Sequence, residues 1–227
     1  MEKAAVIVAG GTGTRMGTDT PKQFLELHGR PVIAYTIDAF LSAFPDIRII
    51  LVLPQAYMEV GRELTGKYFP GKQIIITSGG RTRFDSVKNG LSHVKDPAVV
   101  FVHDAVRCLV SPSLIRECYE ATLIHGSAIP AIPVKDSIRR IHATGSEVVS
   151  REQLRAIQTP QTFLSEILLP AFHTAYQSSF TDEATVVEHS GVKINLVPGE
   201  ETNIKITVPA DLDFAQQVIG KQLNARI

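Results

Sequence analysis

Tryptophan is absent from this chain, cysteine occurs only twice, and neither sign of charge predominates. The 23 basic residues balance the 23 acidic ones, which argues against a general nucleic-acid binder, because such proteins carry a basic excess or stripe. Any anion site must therefore be a local cluster of cations. Cys108 and Cys118 have no metal-type spacing around them, so we interpret both as buried thiols in a reducing cytosol.

Long apolar runs are also missing. None reaches the roughly 18 residues of a membrane helix, and the opening MEKAAV is too short and too acidic for a signal peptide. We therefore predict a cytoplasmic protein that binds neither membrane nor nucleic acid. The composition, 44% hydrophobic and 20% charged, is that of an ordinary globular protein.

Short apolar runs alternate with amphipathic segments along most of the chain. This pattern predicts a single α/β domain over 1–227, with a Rossmann-like, mostly parallel sheet and helices on both faces. Predicted strands are 4–9, 48–53, 73–77, 99–103, 193–197 and 204–206. Predicted helices are 32–41, 55–68, 83–93, 112–125, 166–176, 182–189 and 209–223.

One segment departs from this alternation. Residues 134–151 alternate apolar and polar side chains around a Thr-Gly-Ser turn, which is typical of a hairpin. The segment is too polar on both faces for a core element. We interpret residues 134–155 as a protruding arm that serves as an oligomer contact, with a solvated surface hairpin as the alternative.

The first predicted strand runs into a glycine-rich loop, AGGTGTRMG, followed by TPKQ. The loop is not a P-loop, because no Gly-Lys-Ser/Thr follows its glycines, and Met16 stands where a dinucleotide fingerprint needs its third glycine. Its backbone N–H groups can approach a phosphate closely. Arg15 adds a planar guanidinium with paired donors, and Lys22 adds an ammonium group on a flexible side chain. This combination suits a triphosphate.

Two further stretches end predicted strands and should meet this loop at one edge of the sheet. In SGGRTRFDSV, Gly80 permits close approach of a ligand, and Ser86 lies near a helix start. In VHDAVR, Asp104 is a candidate Mg²⁺ or ribose ligand, with a turn-initiating Asp as the alternative. We interpret His103 as structural. Three other stretches, QTPQTF, TDEA and NIKIT, are also candidates, and the simplest interpretation of TDEA is a helix cap.

The candidate residues are suited to binding anions, and they do not form a pair of nucleophile and general base. No Ser/His/Asp or Cys/His arrangement is readable in the sequence. Arg, Lys, backbone N–H and one or two carboxylates suit phosphoryl or nucleotidyl transfer, which depends on positioning and charge stabilisation. Transfer to a phosphomonoester would explain the missing base, because a phosphate oxygen is already ionised at pH 7.

Taken together, these motifs resemble the 2-C-methyl-D-erythritol 4-phosphate cytidylyltransferases of the non-mevalonate isoprenoid pathway. The resemblance extends from Ala4 to about Leu212 and rests on AGGTGTRMG with PKQF, SGGRTRFDSV, VHDAVR, IPVKDSIRR, QTPQTF, TDEA and NIKIT, in that order. It implies transfer of CMP from CTP to the polyol phosphate, with Mg²⁺, in a homodimer with interlocked arms.

The resemblance also assigns roles by position. It implies catalytic cations at Arg15 and Lys22, and a metal ligand at Asp104. Implied nucleotide contacts are Ala9, Gly10, Gly11, Gly13, Gly80, Ser86, Asp104, Ala105 and Lys205. Implied contacts to the polyol phosphate are Arg107, Ser137, Arg151 and Thr181, with Ser137 and Arg151 reaching the partner subunit's site.

Departures from the family pattern leave alternatives open. Arg81 replaces a residue that is often acidic, Ser137 replaces a common Thr, and Val106 and Cys108 alter the usual Ala-Ala-Arg-Pro. A ribitol 5-phosphate cytidylyltransferase shares many of these motifs but matches less well around residues 148–155. A non-catalytic nucleotide-binding module would be expected to have lost Arg15 or Lys22, and an NAD-dependent dehydrogenase fits less well still.

Overall fold

The computed structural model describes residues 1–10 and 20–224. Within these residues a twisted central sheet is covered by helices. The strands are β1 (Glu2–Val8), β2 (Glu26–Leu27), β3 (Arg30–Pro31), β4 (Arg48–Leu53), β5 (Ile74–Ser78), β6 (Ala98–Asp104), β7 (Ser127–Pro133), β8 (Ile138–His142), β9 (Gly145–Val149), β10 (Arg155–Ile157), β11 (Gln161–Leu164) and β12 (Leu196–Pro198). The helices are α1 (Val32–Ala43), α2 (Met58–Tyr68), α3 (Arg83–Leu91), α4 (Pro112–His125), α5 (Ser165–Ala171), α6 (Glu183–His189) and α7 (Pro209–Asn224).

The central sheet has the order β10-β7-β11-β6-β1-β4-β5, with β12 beside β7. Strands β6, β1, β4 and β5 are parallel, whereas β11 runs antiparallel between β6 and β7. The parallel strands are continuous apolar runs because both of their faces are covered. Their carboxyl ends therefore meet at one edge, as the sequence predicts.

Helices pack on both faces of the sheet, which confirms the predicted α/β fold. Successive side chains of β1 point to opposite faces, so Ala5 and Ile7 join one core while Val6 joins the other. The first core is closed by α1, α2 and α4, and the second by α3, α5 and α6. None of the helices in the described residues is long and apolar enough to cross a bilayer.

The predicted hairpin is present as β8 and β9, which pair with each other and with no other strand of the described residues. Ile141 and Val148 are 76% and 74% exposed, so the hairpin leaves large apolar side chains in contact with solvent. The arm differs from the rest of the fold in that neither of its strands contributes a side chain to the hydrophobic cores of the described residues.

Three predicted elements differ in the structure. The strand predicted at 193–197 begins only at Leu196, as β12. The predicted strand at 204–206 is an irregular segment, because its backbone bonds singly to Val106 rather than in a ladder. The predicted helix at 166–176 ends at Ala171, directly after Pro170, whose ring removes an N–H and crowds the preceding turn. Strand β11 lies partly inside QTPQTF, a motif that the sequence marks as a candidate for chemistry and not as a strand.

Candidate active site

A cleft of about 280 Å³ lies at the carboxyl edge of β6, β1 and β5. It brings together stretches that are far apart in sequence, which confirms the predicted convergence at this edge. Its lining residues are Val8, Ala9, Gly10, Lys22, Gln23, Gly80, Arg81, Thr82, Arg83, Ser86, Asp104, Val106 and Lys205. Of the residues that the sequence singles out, Gly11, Gly13 and Arg15 lie outside the described residues.

The turn between β5 and α3 forms one wall of the cleft. A Cβ on Gly80 would overlap the side chain of Asp85, so the close approach of turn and helix requires glycine there. Thr82 and Asp85 form a reciprocal capping box at the start of α3. The Ser86 hydroxyl accepts from the Gly80 N–H at 3.1 Å and donates to the Thr82 carbonyl at 2.9 Å. These bonds fix the turn against the helix.

Asp104, at the end of β6, is held by three cations. Its carboxylate lies 2.9 Å from Lys205, 3.4 Å from Arg83 and 3.6 Å from Arg107. Burial by itself would raise the pKa of this carboxyl, but the cations, Arg83 foremost, outweigh burial and hold the pKa well below its usual range. Asp104 is therefore ionised at neutral pH, and its charge is compensated locally.

Arg83 joins two distant parts of the chain. Its guanidinium binds the carboxylate of Glu183 through both terminal nitrogens, with Nη2 at 3.0 Å from Oε2. Glu183 is 1% exposed, so this is a buried, bidentate ion pair. Burial lowers the pKa of Arg83, but the two carboxylates, Glu183 first and then Asp104, raise it further, so the guanidinium stays charged.

The sequence does not predict this pair. TDEA is a helix cap, as the sequence indicates, since Asp182 caps α6 in a capping box, but nothing in the motif points to a partner for Glu183. An acidic residue in the first turn of a helix has a sufficient local explanation. No local signal connects it to an arginine 100 residues away.

Lys22 enters the cleft from a short 3-10 turn, Lys22–Phe24, that begins after Pro21. The side chain is nearly buried, and Nζ donates to the Ile206 carbonyl at 2.8 Å. The neighbouring Gln23 donates to the Ala9 carbonyl at 2.9 Å, which anchors this turn to the end of β1. The turn thus places an ammonium group at the same edge as Asp104.

The QTPQTF stretch is a buried support for the cleft. Thr159 Oγ1 accepts from the Asp104 backbone N–H at 3.1 Å. Asn203 donates to the Thr159 carbonyl at 2.9 Å, and the Gln158 amide bonds to both the N–H and the carbonyl of Glu200. Gln161 binds Asp182 and the Ala184 N–H. Strand β11 and the residues just before it therefore hold in place the segments that carry Asp104, Lys205 and Glu183.

Comparison with known proteins identifies the family to which this constellation belongs. A sequence profile of the IspD family, described as 2-C-methyl-D-erythritol 4-phosphate cytidylyltransferase, matches residues 3–221. The chain belongs to this cytidylyltransferase family.

Individual relatives agree with the assignment. The chain is 42% identical to the 2-C-methyl-D-erythritol 4-phosphate cytidylyltransferase of Bacteroides thetaiotaomicron, over 96% of this chain and 100% of that protein. It is 39% identical to the enzyme of the same name from Bacillus mycoides, over 96% of this chain and 97% of that protein.

Solved structures show the same similarity. The 4-diphosphocytidyl-2C-methyl-D-erythritol synthase of Anaerococcus prevotii is similar with a TM-score of 0.82 and 28% identity, covering 96% of each chain. The 2-C-methyl-D-erythritol 4-phosphate cytidylyltransferase of Thermus thermophilus has a TM-score of 0.75 and 33% identity, covering 96% of this chain and 98% of that one. The resemblance drawn from the motifs is confirmed, as is the nucleotidyltransferase class.

Several residues that the cytidylyltransferase resemblance singles out are not among the residues that line the cleft. Ser137 and Arg151 are exposed residues of the arm, where Arg151 donates to the Lys135 carbonyl. Thr181 is exposed just before α6. Arg107 is partly buried beside Asp104 and donates to the Asn203 carbonyl at 2.8 Å. Their roles toward a polyol phosphate stay predictions.

Two residues next to Asp104 are buried rather than presented to the cleft. Ala105 is fully buried, and its N–H donates to the Val8 carbonyl at 3.0 Å. His103 is also fully buried, with its ring nitrogens 3.0 Å from Thr159 Oγ1 and 3.2 Å from the Arg107 carbonyl. Burial lowers the pKa of His103 to about 3, so the ring is neutral. This environment supports the structural interpretation of His103.

The described residues contain no cluster of three or more His, Cys, Asp or Glu side chains that could enclose a metal ion. Asp104 is the one carboxylate among the described residues that line the cleft. Mg²⁺ typically binds through one or two carboxylates together with substrate phosphates. The donor set therefore fits a Mg²⁺ that arrives with a polyphosphate.

Proposed function

We propose that this chain transfers CMP from CTP to 2-C-methyl-D-erythritol 4-phosphate, giving 4-diphosphocytidyl-2-C-methyl-D-erythritol and pyrophosphate for isoprenoid precursor synthesis. The observation that carries this proposal is the convergence of Lys22, Gly80, Ser86, Asp104 and Lys205 in one cleft of a chain that belongs to the cytidylyltransferase family. The cleft holds cations and hydrogen-bonding groups, as nucleotidyl transfer requires.

The proposed chemistry needs no general base from the protein. The attacking phosphate oxygen of the polyol phosphate is ionised at neutral pH, and it displaces pyrophosphate from the α-phosphorus of CTP. Negative charge builds up on the oxygens around that phosphorus, where a fixed ammonium group stabilises the transition state. The structure supports this role for Lys22, which is nearly buried in the cleft. Arg15 is proposed as the second cation from its place in the sequence.

The other nucleotide contacts follow the layout of the cleft. Ala9, Gly10 and Gly80 let a ligand approach the backbone closely, and Ser86 offers a hydroxyl, at positions without ionised side chains of their own. Lys205 and Asp104 form the charged part, suited to phosphates and a ribose hydroxyl. Gly11, Gly13 and Ala105 complete the proposed contacts on the basis of the motif alone.

Mg²⁺ is the proposed cofactor, with Asp104 as its protein ligand. Bound there, the ion would neutralise charge on the triphosphate. Because Lys205 lies on the same carboxylate and is 41% exposed, its ammonium group can move from Asp104 to a phosphate when the nucleotide binds. Arg83 and Arg107 are less exposed and would continue to orient the carboxylate.

The polyol phosphate is proposed to bind at the polar residues outside the described cleft lining, with the arm of a second subunit completing the site. Arg107 and Thr181 would come from one subunit, and Ser137 and Arg151 from the partner. The exposed apolar side chains of the arm support a homodimer, because they would be covered by such a contact. The cytoplasmic location stays a prediction from the sequence.

The test is pyrophosphate release by the purified chain with Mg²⁺. CTP, UTP, ATP and GTP are each supplied with 2-C-methyl-D-erythritol 4-phosphate or ribitol 5-phosphate, and the product is identified by mass. We expect turnover with CTP and the methylerythritol phosphate. Turnover with ribitol 5-phosphate alone would replace the proposed substrate, and CTP binding without pyrophosphate from either polyol would indicate a non-catalytic module.

A further inference from the structure

The turn at the end of β6 carries two charged groups of the proposed site. Asp104 ends the strand, and Arg107 follows three positions later, with its Nε 3.6 Å from the Asp104 carboxylate. The Arg107 N–H donates to the Asp104 carbonyl at 3.0 Å, which closes the turn. Because both side chains project from this turn, its backbone decides where they lie.

His103 contacts this turn from inside the protein. Its side chain is fully buried, and Nε2 lies 3.2 Å from the Arg107 carbonyl. Nδ1 lies 3.0 Å from the Thr159 hydroxyl, whose oxygen accepts from the Asp104 N–H at 3.1 Å. Phe40 packs against the ring at an interplanar angle of 69°, with the ring centroids 5.2 Å apart. These contacts fix the orientation of the ring.

The partners of His103 determine which ring nitrogen carries the proton. A carbonyl oxygen can only accept, so Nε2 is the protonated nitrogen, and it donates to Arg107. Burial lowers the pKa of the ring, so the ring is neutral and Nδ1 carries no proton. Nδ1 must therefore accept from the Thr159 hydroxyl, and the lone pairs of that oxygen remain for the Asp104 N–H.

These contacts form a closed ring of four hydrogen bonds. Its members, each donating to the next and the last donating to the first, are Asp104, Thr159, His103 and Arg107. Every member both donates and accepts, so each bond polarises the next and the bonds strengthen one another. The ring passes through the first and the last residue of the turn, and it therefore holds both ends of the turn.

Other contacts hold the middle of the turn. The Ala105 N–H donates to the Val8 carbonyl at 3.0 Å, and the Ala105 carbonyl accepts from Thr36 on α1 at 2.8 Å. At the last residue, the Arg107 carbonyl accepts from the Val110 N–H at 3.3 Å as well as from His103. Of these two donors, His103 is the one on β6, so its ring links the last residue of the turn back to the strand.

We propose that His103 is a positioning residue for CMP transfer, because its Nε2–H tautomer closes the ring of hydrogen bonds that orients Asp104 and Arg107. His103 is not among the described residues that line the cleft, so it acts through the turn. A turn held in this way needs no rearrangement when the ligands bind. The inference rests on the proposed function, because it takes Asp104 to bind Mg²⁺ and Arg107 to bind the polyol phosphate.

The first test is the tautomer, which does not depend on turnover. Heteronuclear NMR of the chain with isotope-labelled histidine, at neutral pH, distinguishes the two neutral tautomers from each other and from the charged ring. The signals of His103 are those that disappear in His103→Phe. We expect the Nε2–H tautomer. A proton on Nδ1, with or without one on Nε2, would break the ring of hydrogen bonds and overturn the inference.

The second test is kinetic. His103→Phe keeps an aromatic ring against Phe40 but removes both hydrogen bonds. We expect kcat/KM for the polyol phosphate to fall about tenfold or more, with the Kd of CTP from calorimetry changed by less than about twofold, since a slightly misplaced group slows the reaction strongly. The control is His173→Phe, which replaces an exposed histidine beyond α5 and should change neither quantity.

Two variants of Thr159 test the same ring without altering the histidine. Thr159→Val removes the hydroxyl and should reproduce the loss of His103→Phe, whereas Thr159→Ser keeps the hydroxyl and should resemble the parent. An unchanged kcat/KM in His103→Phe, or an equal loss in the two Thr159 variants, would overturn the inference. A parent chain without turnover contradicts the proposed function and with it the role of His103, whereas the wrong tautomer in an active chain overturns this inference alone.

Discussion

At the scale of single residues, side chains of the cleft are held by partners from distant parts of the sequence. Lys22 reaches the carbonyl of Ile206, and Lys205 reaches the carboxylate of Asp104. Arg83 binds both Asp104 and Glu183. Such pre-arrangement matters for a reaction that depends on positioning, because groups already in place need no reorganisation during the reaction.

The Arg83–Glu183 pair is expected to stabilise the fold. Glu183→Ala leaves a guanidinium without its bidentate partner in a largely buried place, and removal of one partner of a buried ion pair costs about 3 kcal/mol. Urea denaturation measures this change. Glu147→Ala, which breaks the exposed pair with Arg140, is the matched control and should have no measurable effect. Equal stability of the two variants would contradict the buried character of the Arg83 pair.

The two thiols should make stability fall at alkaline pH. Burial raises the pKa of both Cys108 and Cys118 to about 12, whereas an unfolded cysteine titrates near 8.5. A raised pKa in the folded state contributes stability that is complete below the unfolded value and is lost as pH rises toward about 12.

The urea concentration at the midpoint of unfolding, measured between pH 8 and 10, tests whether stability falls as the pH rises. The slope of stability against pH should be less negative in Cys118→Ala than in the parent, whatever stability the substitution itself costs. An identical slope in both proteins would show that the Cys118 thiol titrates alike in the folded and unfolded chain.

The residue scale also shows where sequence reasoning succeeds. Asp104 and Gly80 could be predicted because each follows a buried strand, and the ends of parallel strands meet at one edge. The role of Glu183 could not be predicted, because its partner Arg83 is a hundred positions away and no local pattern links the two. The supporting role of Gln158 was also missed, because a buried amide bonding to backbone leaves no pattern in the sequence.

At the scale of elements, the arm is distinct from the rest of the fold. Among the strands that the structure describes, β8 and β9 pair with each other alone, and they carry exposed apolar side chains. A two-stranded ribbon alone is only marginally stable in water. A contact with a second copy of the chain would cover its apolar surface and steady it.

The first prediction for the arm concerns assembly. Val148→Asp should shift the chain from dimer to monomer in sedimentation velocity, because a charge at a buried apolar contact is costly. Ile124→Asp on α4 is the matched control, since Ile124 is 74% exposed as well, and it should leave the dimer intact. A monomeric parent, or a dimer in Val148→Asp, would contradict the proposed contact.

The second prediction for the arm concerns the substrate. Arg151→Ala should raise the KM for the polyol phosphate about tenfold or more, because charge-assisted hydrogen bonds to phosphate contribute about 1.5–3 kcal/mol. The KM for CTP should stay nearly constant. Steady-state kinetics with each substrate varied in turn measures both. The reverse pattern would mean that the arm does not serve the polyol site.

At the scale of the whole molecule, the sequence predicts the fold better than its irregular parts. The apolar runs and the glycines between them predict the parallel strands and most helices correctly, because such elements follow from burial and backbone geometry. The irregular segment that carries Lys205 is predicted as a strand from the sequence. The alternation of apolar and polar residues in NIKIT is the same whether or not a neighbouring strand forms hydrogen bonds with the segment. Tertiary contacts decide such segments.

We propose above all that this cleft transfers CMP from CTP by stabilising charge at the α-phosphorus. Single-turnover measurement of pyrophosphate release with CTP and 2-C-methyl-D-erythritol 4-phosphate tests it most directly. Lys22→Ala should slow this step by about a hundredfold or more, the usual cost of removing one group that stabilises transition-state charge. CTP affinity should change by only a few fold.

Lys72→Ala, which removes an exposed lysine elsewhere, is the control and should keep the rate of the parent. Arg15→Ala is expected to follow the Lys22 variant. An unchanged rate in Lys22→Ala, with CTP and the polyol phosphate still converted, would contradict the account.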